Sequence, residues 1–412
     1  MKVYIIKASA QSEFKEYKKF LGAPSQNIFS LAASTPLDVE IEMLDETMGM
    51  KINFESDADI VAIFGSTPDI LRAYEIADIF RKRNKTVVLG GLHVKFMPEE
   101  AAAHCDAIMV GETEGIWQEL LDDYNNNTLK KRYQRTSLVD LATLKPYPTQ
   151  YIKPATYKGF WSVLVSRGCN NKCSYCLVHP FFENIRYRPV GNVIDEIRKC
   201  GSNWIELHAD NLTANRDYAM ELLTALKPLK INWVGETTIK VAEDPELLKL
   251  VAESGLRYLL LGLETPSKAA LQGASKAFMN PDTVKENISR FHEYGITVDS
   301  AMLFGFDEHD KNIFKESLEF VRYTGVDVSH SVIVIPFPGS EFYKKMEQEG
   351  RLLTKDWSQY DGRHIVFQPA KMSPQEIMEG MKWFEDKFYG GIGMFRYLKS
   401  MGKMAFRMLW DS

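Results

Sequence analysis

The sequence has little of several features that would define a protein class. Its 412 residues include only 5 cysteines, an odd number that argues against a secreted disulfide framework. The opening apolar run, Val3–Ile6, is too short for a signal peptide or a membrane span. Lys and Arg number 50 against 55 Asp and Glu, so no positive excess would attract a nucleic-acid backbone. We therefore expect a folded cytoplasmic protein that acts on a small molecule.

Residues 1–128 alternate short apolar segments with helical patterns, of which Asp69–Arg83 is the clearest. The predicted strands are Val3–Ile6, Val39–Met43, Ile60–Phe64, Val87–Leu89 and Ala107–Val110. This alternation predicts an α/β domain with an open, doubly wound, Rossmann-like parallel sheet. Such sheets bind ligands beyond the carboxyl ends of their strands.

A second alternating series occupies residues 159–335. Its predicted strands are Trp161–Ser166, Trp204–His208, Ile231–Gly235, Arg257–Gly262, Ile296–Leu303 and Ser329–Ile335. Six βα repeats fall short of the eight that close a barrel, so we expect a partial (β/α)6 barrel. Residues 129–158, basic and then proline-rich, are predicted to be a linker, and residues 336–412 a mostly helical C-terminal region.

Three cysteines crowd into eight residues directly after the first barrel strand. They are Cys169, Cys173 and Cys176. Three thiolates on a four-iron cluster leave one iron open to a non-protein ligand, which is an arrangement for catalysis. The alternative is a structural zinc site completed by His179. The two other cysteines, Cys105 and Cys200, are expected to be ordinary packing residues.

The C-x3-C-x2-C motif, with Tyr175 before its last cysteine, resembles the hallmark of the radical S-adenosylmethionine (SAM) superfamily. The resemblance implies a [4Fe-4S] cluster that binds SAM and cleaves it reductively to a 5'-deoxyadenosyl radical. It also implies an electron donor such as flavodoxin or ferredoxin. The residues that match SAM-binding positions of the family are Tyr175, Asp210, Asn211, Glu236 and Glu264. As an alternative, each of these acids caps the helix that follows it.

The front half resembles the cobalamin (B12)-binding domain of one branch of that superfamily. The residues that the resemblance assigns to cobalamin are Ser66, Thr67, Gly90, Gly91, Gly111 and Glu112. The D-x-H-x-x-G motif that places a histidine beneath the cobalt is absent after the first strand. We therefore expect no protein nitrogen on the cobalt, and His93, next to the glycines, should not coordinate it. A scaffold without the cofactor is the alternative.

The end of the chain, Trp383–Trp410, has more basic than acidic residues, interleaved with aromatic residues and methionines. Such a segment suits contact with an anionic membrane surface or the covering of a lipophilic substrate. The alternative interpretation is that these methionines and aromatic residues form the apolar face of a helix that packs in the core.

The leading hypothesis is a cobalamin-dependent radical SAM enzyme that methylates an unactivated carbon of a small molecule. A second hypothesis is a cobalamin-free radical SAM enzyme with a vestigial B12-like domain and another radical reaction. A third, from a different class, is a non-catalytic protein that binds a corrinoid or zinc.

Overall fold

The computed structural model describes residues 1–10, 24–151 and 160–390, together with positions 394, 398 and 402. These residues fall into two compact units. The first consists of Met1–Ser162 and Asp356–Asp361, and the second of Val163–Lys355 and Gly362–Ser412.

The first unit contains a six-stranded parallel sheet in the order β2-β1-β3-β4-β5-β6. Its strands are β1 (Lys2–Lys7), β2 (Glu40–Asp45), β3 (Ile60–Phe64), β4 (Thr86–Gly90), β5 (Ala107–Val110) and β6 (Arg132–Gln134). Strand β1 pairs with β2 on one side and β3 on the other, so the direction of winding reverses there. In doubly wound sheets, this switch point is where ligands bind.

Strand β6 lies inside the segment that the sequence predicted to be an irregular linker. The difference has a physical reason. Tyr133 is 2% exposed and its hydroxyl donates to Asp123 over 2.9 Å, whereas Arg132 and Gln134 on either side are exposed. A three-residue strand with one buried residue is too short to show the alternation of apolar and polar residues that identifies a strand in a sequence.

The helices of the first unit are α1 (Gln26–Ser34), α2 (Ile70–Lys82), α3 (Leu92–Phe96), α4 (Pro98–Ala102) and α5 (Trp117–Asn125). Helix α2 buries the apolar residues that its spacing predicted. The segment Asp356–Asp361, which the sequence placed in the C-terminal region, belongs to this unit. Its Trp357 is 2% exposed, and the indole Nε1 donates to Glu100 Oε1 over 2.9 Å.

The second sheet has six strands in the order β14-β13-β12-β11-β10-β7, and its strand β7 begins two residues before the second unit does. Its strands are β7 (Trp161–Leu164), β10 (Trp204–His208), β11 (Asn232–Thr237), β12 (Leu256–Glu264), β13 (Thr297–Phe304) and β14 (Val328–Ile333). The strands follow one another in chain order, and those from β10 to β14 pair in parallel, which confirms the predicted partial barrel. A two-stranded antiparallel hairpin, β8 (Ser166–Arg167) and β9 (Arg186–Tyr187), is inserted between β7 and β10.

The helices of this unit alternate with its strands and continue past the last strand. They are α6 (Val178–Phe182), α7 (Val190–Cys200), α8 (Arg216–Leu226), α9 (Pro245–Glu253), α10 (Lys268–Gly273), α11 (Val284–Glu293), α12 (Ile313–Thr324), α13 (Glu341–Gln348) and α14 (Pro374–Tyr389). None of the described helices is long and apolar enough to cross a membrane. Most of the segment with the predicted membrane contact, from residue 391 on, lies outside the described residues, and that contact stays a prediction.

The two faces of the second sheet differ in composition. One face is apolar and buried; its residues include Leu207, Trp233, Leu259, Leu261 and Val298, each at most 1% exposed. Helix α14 packs on this side of β14, where Tyr389 donates to the carbonyl of Ser329 over 2.8 Å. The opposite face, which we call the interior face, carries the alternate residues. Its ionisable members include Glu206, His208, Glu236, Tyr258, Asp299 and His330.

A tight backbone approach at the start of β12 generates a prediction about stability. Gly255 has φ +108°, and a Cβ there would overlap the carbonyl oxygen of Ile231. Gly201 has φ +68°, but a Cβ there would meet nothing within 4 Å. Both Gly→Ala variants strain the backbone by about 1 kcal/mol. We expect Gly255→Ala to lose about 1 to 3 kcal/mol more, because the carbonyl must move. Urea denaturation of the two variants measures the difference, and equal losses would contradict the overlap.

Candidate active site

The three clustered cysteines lie in the loop between β8 and β9. The loop leaves the hairpin through Gly168, whose φ is +94° and where a Cβ would lie 2.5 Å from the carbonyl oxygen of Asn184. Glycine is therefore required at the residue directly before Cys169. A turn brings the amide of Cys176 within 3.1 Å of the carbonyl of Cys173, and α6 begins two residues later.

The cysteine sulfurs receive N–H donors of the kind that surround iron-sulfur clusters. The amide of Asn171 lies 3.5 Å from Cys169 Sγ, and the amide of Val178 lies 3.4 Å from Cys176 Sγ. Such donors stabilise negative charge on sulfur and tune the reduction potential of a cluster. All three thiols are half-buried, and burial raises the pKa of Cys176 to about 11. The donor set fits a cluster held by three thiolates.

Asp210 and Asn211, past the end of β10, are tied to the cysteine loop. Asp210 Oδ2 accepts the amide N–H of Gly168 over 2.8 Å. The side-chain amide of Asn211 lies 3.9 Å from Cys169 Sγ, and its Oδ1 accepts a hydrogen bond from Thr237 over 3.2 Å. The two residues therefore position the loop, and SAM binding by them stays a prediction.

Glu264 lies at the end of β12 and is 6% exposed, so it is not the surface cap of the alternative interpretation. Its Oε1 accepts a hydrogen bond from Tyr175 over 3.1 Å and forms an ion pair with Lys276. Burial and the nearby Glu264 carboxylate raise the pKa of Tyr175. Sequence analysis placed Tyr175 and Glu264 at one site but did not identify Lys276. The only sign of Lys276 in the sequence is that it is a single basic residue in a short segment of mostly small and apolar residues.

The local backbone is shaped around this ion pair. The register of β12 against β13 shifts between Gly262 and Glu264, and Glu264 has φ +62°, which is uncommon for a residue with a side chain. A Cβ at Gly262 would lie 2.5 Å from Glu264 Oε1 and 2.6 Å from Lys276 Nζ. Gly262 is therefore required for the pair to form. Backbone strain of this kind concentrates at functional sites.

Glu236 is at the end of β11 on the interior face, where its side chain is exposed to solvent. Desolvation by the surrounding protein disfavours its charge most, His208 opposes this effect, and Glu206, Asp210 and Asp299 add repulsion. The pKa of Glu236 is raised to about 7 as a result. The predicted SAM residues Glu236 and Glu264 thus occupy different surroundings, one open to water and one buried in an ion pair.

In the first unit, the predicted Ser66 lies beside the switch point of the sheet. Its hydroxyl bonds to Asp69, whose Oδ1 also accepts the amide of Ala10 over 2.9 Å. Lys7 Nζ lies 3.3 Å from the other oxygen of Asp69. Asp69 therefore joins the loops after β1 and β3. Sequence reasoning missed Asp69, because Lys7 and Ala10 are about 60 residues earlier in the chain.

The predicted glycines fulfil different roles. A Cβ at Gly90 would lie 2.9 Å from a ring carbon of Phe64, and one at Gly91 would lie 3.1 Å from the carbonyl oxygen of Gly65. These two glycines are explained by packing between the strand ends. Gly111, with φ +94°, has nothing within 4 Å of a Cβ position and opens a space at the end of β5. That space fits the close approach of a bulky ligand such as cobalamin.

The two remaining residues of the predicted cobalamin site bind other protein groups. Glu112 accepts the amide N–H of Val139 over 2.9 Å. Thr67 Oγ1 lies 3.2 Å from Nδ1 of His93, which is 1% exposed. The His93 ring contacts the indole of Trp357, with centroids 5.1 Å apart. Burial lowers the pKa of His93 to about 4, so the imidazole is neutral and fixed in place.

Within the described ranges, no three His, Cys, Asp or Glu side chains converge to hold a single metal ion. The geometry nevertheless gathers one thiol loop, one buried ion pair and a polar interior face around the carboxyl ends of a partial barrel. Active sites of α/β barrels lie at this end of the strands.

Comparison with known proteins agrees with this arrangement. Residues 163–321 match the radical SAM superfamily, and residues 35–121 match the B12 binding domain. The bacteriochlorophyllide d C-8(2)-methyltransferase of Chlorobaculum tepidum is 34% identical over 84% of this chain and 80% of its own. The C-12(1)-methyltransferase of the same organism is 26% identical over 94% of this chain and 91% of its own.

The fold is also that of a solved enzyme. The cobalamin-dependent SAM radical enzyme OxsB, with aqua-cobalamin and SAM bound, matches with a TM-score of 0.73. The match covers 99% of this chain and 71% of OxsB at 14% identity. The chain belongs to the radical SAM superfamily, in the branch that carries a B12-binding domain. It is an enzyme whose cofactors are a [4Fe-4S] cluster, SAM and cobalamin, and the non-catalytic zinc hypothesis is wrong.

The thiol loop generates the first prediction about this site. Replacing the three clustered cysteines with Ala should abolish iron-dependent visible absorbance and SAM cleavage, because no thiolate remains to hold the cluster. Cys105→Ala and Cys200→Ala are the matched controls and should retain both. Anaerobic reconstitution followed by absorbance and product analysis measures the effect. SAM cleavage by the triple variant would contradict the assignment.

The fixed, neutral His93 generates a second prediction. Cobalamin bound to the protein and reduced to Co(II) should show an electron paramagnetic resonance spectrum without nitrogen superhyperfine splitting. The reason is that the His93 ring is 1% exposed and covered by Trp357, and that Nε2, the nitrogen not bonded to Thr67, lies 3.5 Å from Glu100 Oε1. The His93→Gln variant should give the same spectrum. Nitrogen splitting that disappears in the variant would show that the histidine coordinates the cobalt.

Proposed function

We propose that this enzyme methylates a carbon atom of a cyclic tetrapyrrole that bears a carboxylate. The supporting observation is the 34% identity, over 84% of the chain, to a methyltransferase that acts on bacteriochlorophyllide d. A second relative with nearly full coverage also acts on bacteriochlorophyllide d, at another position.

The polarity of the interior face supports this class of substrate over a plain hydrocarbon. Closed α/β barrels fill their interior with branched apolar side chains. Here Glu206, His208 and Glu236 occupy one side of that face, and Asp299 and His330 occupy the other. Burying charged groups such as these against a hydrocarbon would remove their contact with water at a cost in free energy. A substrate with polar groups around its edge avoids that cost.

The chain's own residues have separable roles in the proposed reaction. When bound, the cluster supplies the electron that cleaves SAM to a 5'-deoxyadenosyl radical, and cobalamin supplies the methyl group. Cys169, Cys173 and Cys176 would hold the cluster, and Asp210 fixes the loop that carries them. Glu236 and the Glu264–Lys276 pair would bind polar groups of SAM. The space beside Gly111 would receive cobalamin.

The reaction requires a small-molecule substrate and a reductant. We expect a one-electron donor protein of the flavodoxin or ferredoxin class to serve as reductant, as the family resemblance implies. The lipophilic character of the substrate predicted from the C-terminal segment fits the macrocycle, whose face is apolar and whose edge is polar.

The test uses the full chain, reconstituted anaerobically with cluster and cobalamin, with chlorophyllide a as probe and SAM carrying a trideuterated methyl group. We expect a product whose mass increases by one trideuteromethyl group in place of one hydrogen. Each turnover should release one S-adenosylhomocysteine, from the methyl donor, and one 5'-deoxyadenosine, from the radical source. Mass spectrometry and chromatography measure all three.

The controls separate the alternatives. The triple cysteine variant should form none of the three products. If the holoenzyme cleaves SAM but labels no tetrapyrrole, the substrate class is wrong. If a protein with an intact cluster takes up no cobalamin, the cobalamin-free hypothesis replaces this one.

A further inference from the structure

A histidine–carboxylate pair lies on the interior face, away from the thiol loop. His330 on β14 and Asp299 on β13 are joined by a 2.8 Å contact between Nε2 and Oδ2. The hydroxyl of Tyr258 on β12 donates to the same Oδ2. Asp299 is 4% exposed in its side chain, whereas the imidazole of His330 is 40% exposed. The carboxylate is thus the buried partner, and the ring is the one that reaches the interior space.

The charges around this pair favour a protonated ring. The hydrogen bond and the charge of Asp299 raise the pKa of His330 against the opposing effects of burial and of Arg363. Arg363, from the segment beside β14, is itself paired with Glu385 on α14. The second oxygen of Asp299, Oδ1, is buried and has no hydrogen-bond partner among the described residues. A buried carboxylate in this situation is stabilised by a cation beside it.

The opposite side of the interior face has the opposite charge character. Three acids lie there: Glu206 on β10, Glu236 on β11 and Asp210 after β10. Against the effect of burial, Glu206 raises the pKa of His208 on the same strand, and the charge of that imidazole offsets one of the acids. The side stays net negative, so a carboxylate on the substrate is directed toward the β14 side. Four strand spacings of about 4.8 Å separate β10 from β14, or roughly 19 Å along the curved sheet, so the two sides are distinct positions for a bound group.

We propose that His330 binds a carboxylate group of the substrate, and that Asp299 and Tyr258 are positioning residues that fix its imidazole ring. The proposal deepens the proposed function and depends on it, because tetrapyrroles of this class carry propionate side chains. It assigns an orientation: the carboxylate lies at the β14 side, and the remainder of the macrocycle extends toward the thiol loop beside β7 and β10.

A second histidine–aspartate pair provides a matched control. His292 on α11 and Asp327 are also joined by a 2.8 Å contact between Nε2 and Oδ2. This pair lies outside the interior face, and Asp327 accepts the amide N–H of Val298 at the start of β13. His292→Gln therefore removes an equivalent imidazole without touching the proposed substrate site.

The test measures equilibrium binding of chlorophyllide a and of its methyl ester to the full-length protein by fluorescence quenching. The wild-type protein should bind the free acid about tenfold more tightly than the ester, because a charge-assisted hydrogen bond is lost on esterification. His330→Gln should bind the two forms equally and bind the acid about tenfold more weakly. His292→Gln should behave as the wild type.

The pH dependence separates binding from mere packing. The preference for the acid requires protonated His330, so it should persist below the raised pKa of His330 and disappear as pH rises through it. Asp299→Asn removes the cause of the raised pKa and should move the loss to lower pH.

Glu236 also titrates near pH 7 and repels the carboxylate once ionised. The Asp299→Asn shift is therefore measured in a Glu236→Gln background, where Arg363, Glu385 and Tyr258 are unchanged.

The outcomes are distinguishable. If the wild-type protein binds both forms with equal affinity, or if His330→Gln keeps the preference for the acid, the carboxylate anchor is wrong and the proposed function stands. If the wild-type protein binds neither form, the tetrapyrrole class itself is wrong. The wild-type comparison of acid and ester needs no variant, so it does not depend on how the substitutions fold.

Discussion

The ion pair between Glu264 and Lys276 is the interaction on which the geometry of the barrel site depends. Two buried charges tolerate each other only when they are directly matched, and removing one partner of such a pair costs about 3 to 5 kcal/mol. The local backbone follows from this requirement. Strand β12 shifts its register, Glu264 adopts a positive φ, and Gly262 leaves the space that Lys276 enters. Tyr175 then connects the pair to the thiol loop.

The partial barrel explains why so many ionisable side chains are tolerated on one sheet. Six strands leave the sheet open, so its interior face is not sealed by a full ring of apolar residues. Glu236 remains in contact with water, and its pKa is shifted to a range where it gains or loses a proton near neutrality. Asp299, by contrast, is buried and depends on Tyr258 and His330 for its hydrogen bonds. The same face thus combines a solvated acid with a preorganised imidazole.

The fold was predictable from the sequence because both sheets are built from alternating apolar strands and amphipathic helices. The thiol loop was predictable as well, because its three cysteines are close in sequence. Strand β6 escaped detection because its pattern is three residues long. Asp69 and Asp299 escaped detection because the partners that define their roles, such as Ala10 and His330, are far along the chain. Lys276 escaped detection because nothing in its own short segment marks it as the partner of Glu264. A lone polar residue in an apolar strand, such as Asp299 in Thr297–Phe304, is a usable signal only once the pairing of strands is known.

The assignment of Asp356–Asp361 to the first unit bears on how such enzymes diversify. That unit is discontinuous in sequence, since Trp357 covers His93 and bonds to Glu100 from a position some 250 residues later in the chain. Recombination that exchanged residues 1–162 as a contiguous cassette would bring in a cobalamin-type domain without its matching tryptophan. A successful chimera must therefore inherit two stretches from the same parent. We therefore expect residues 1–162 and Asp356–Asp361 to have been inherited together during evolution.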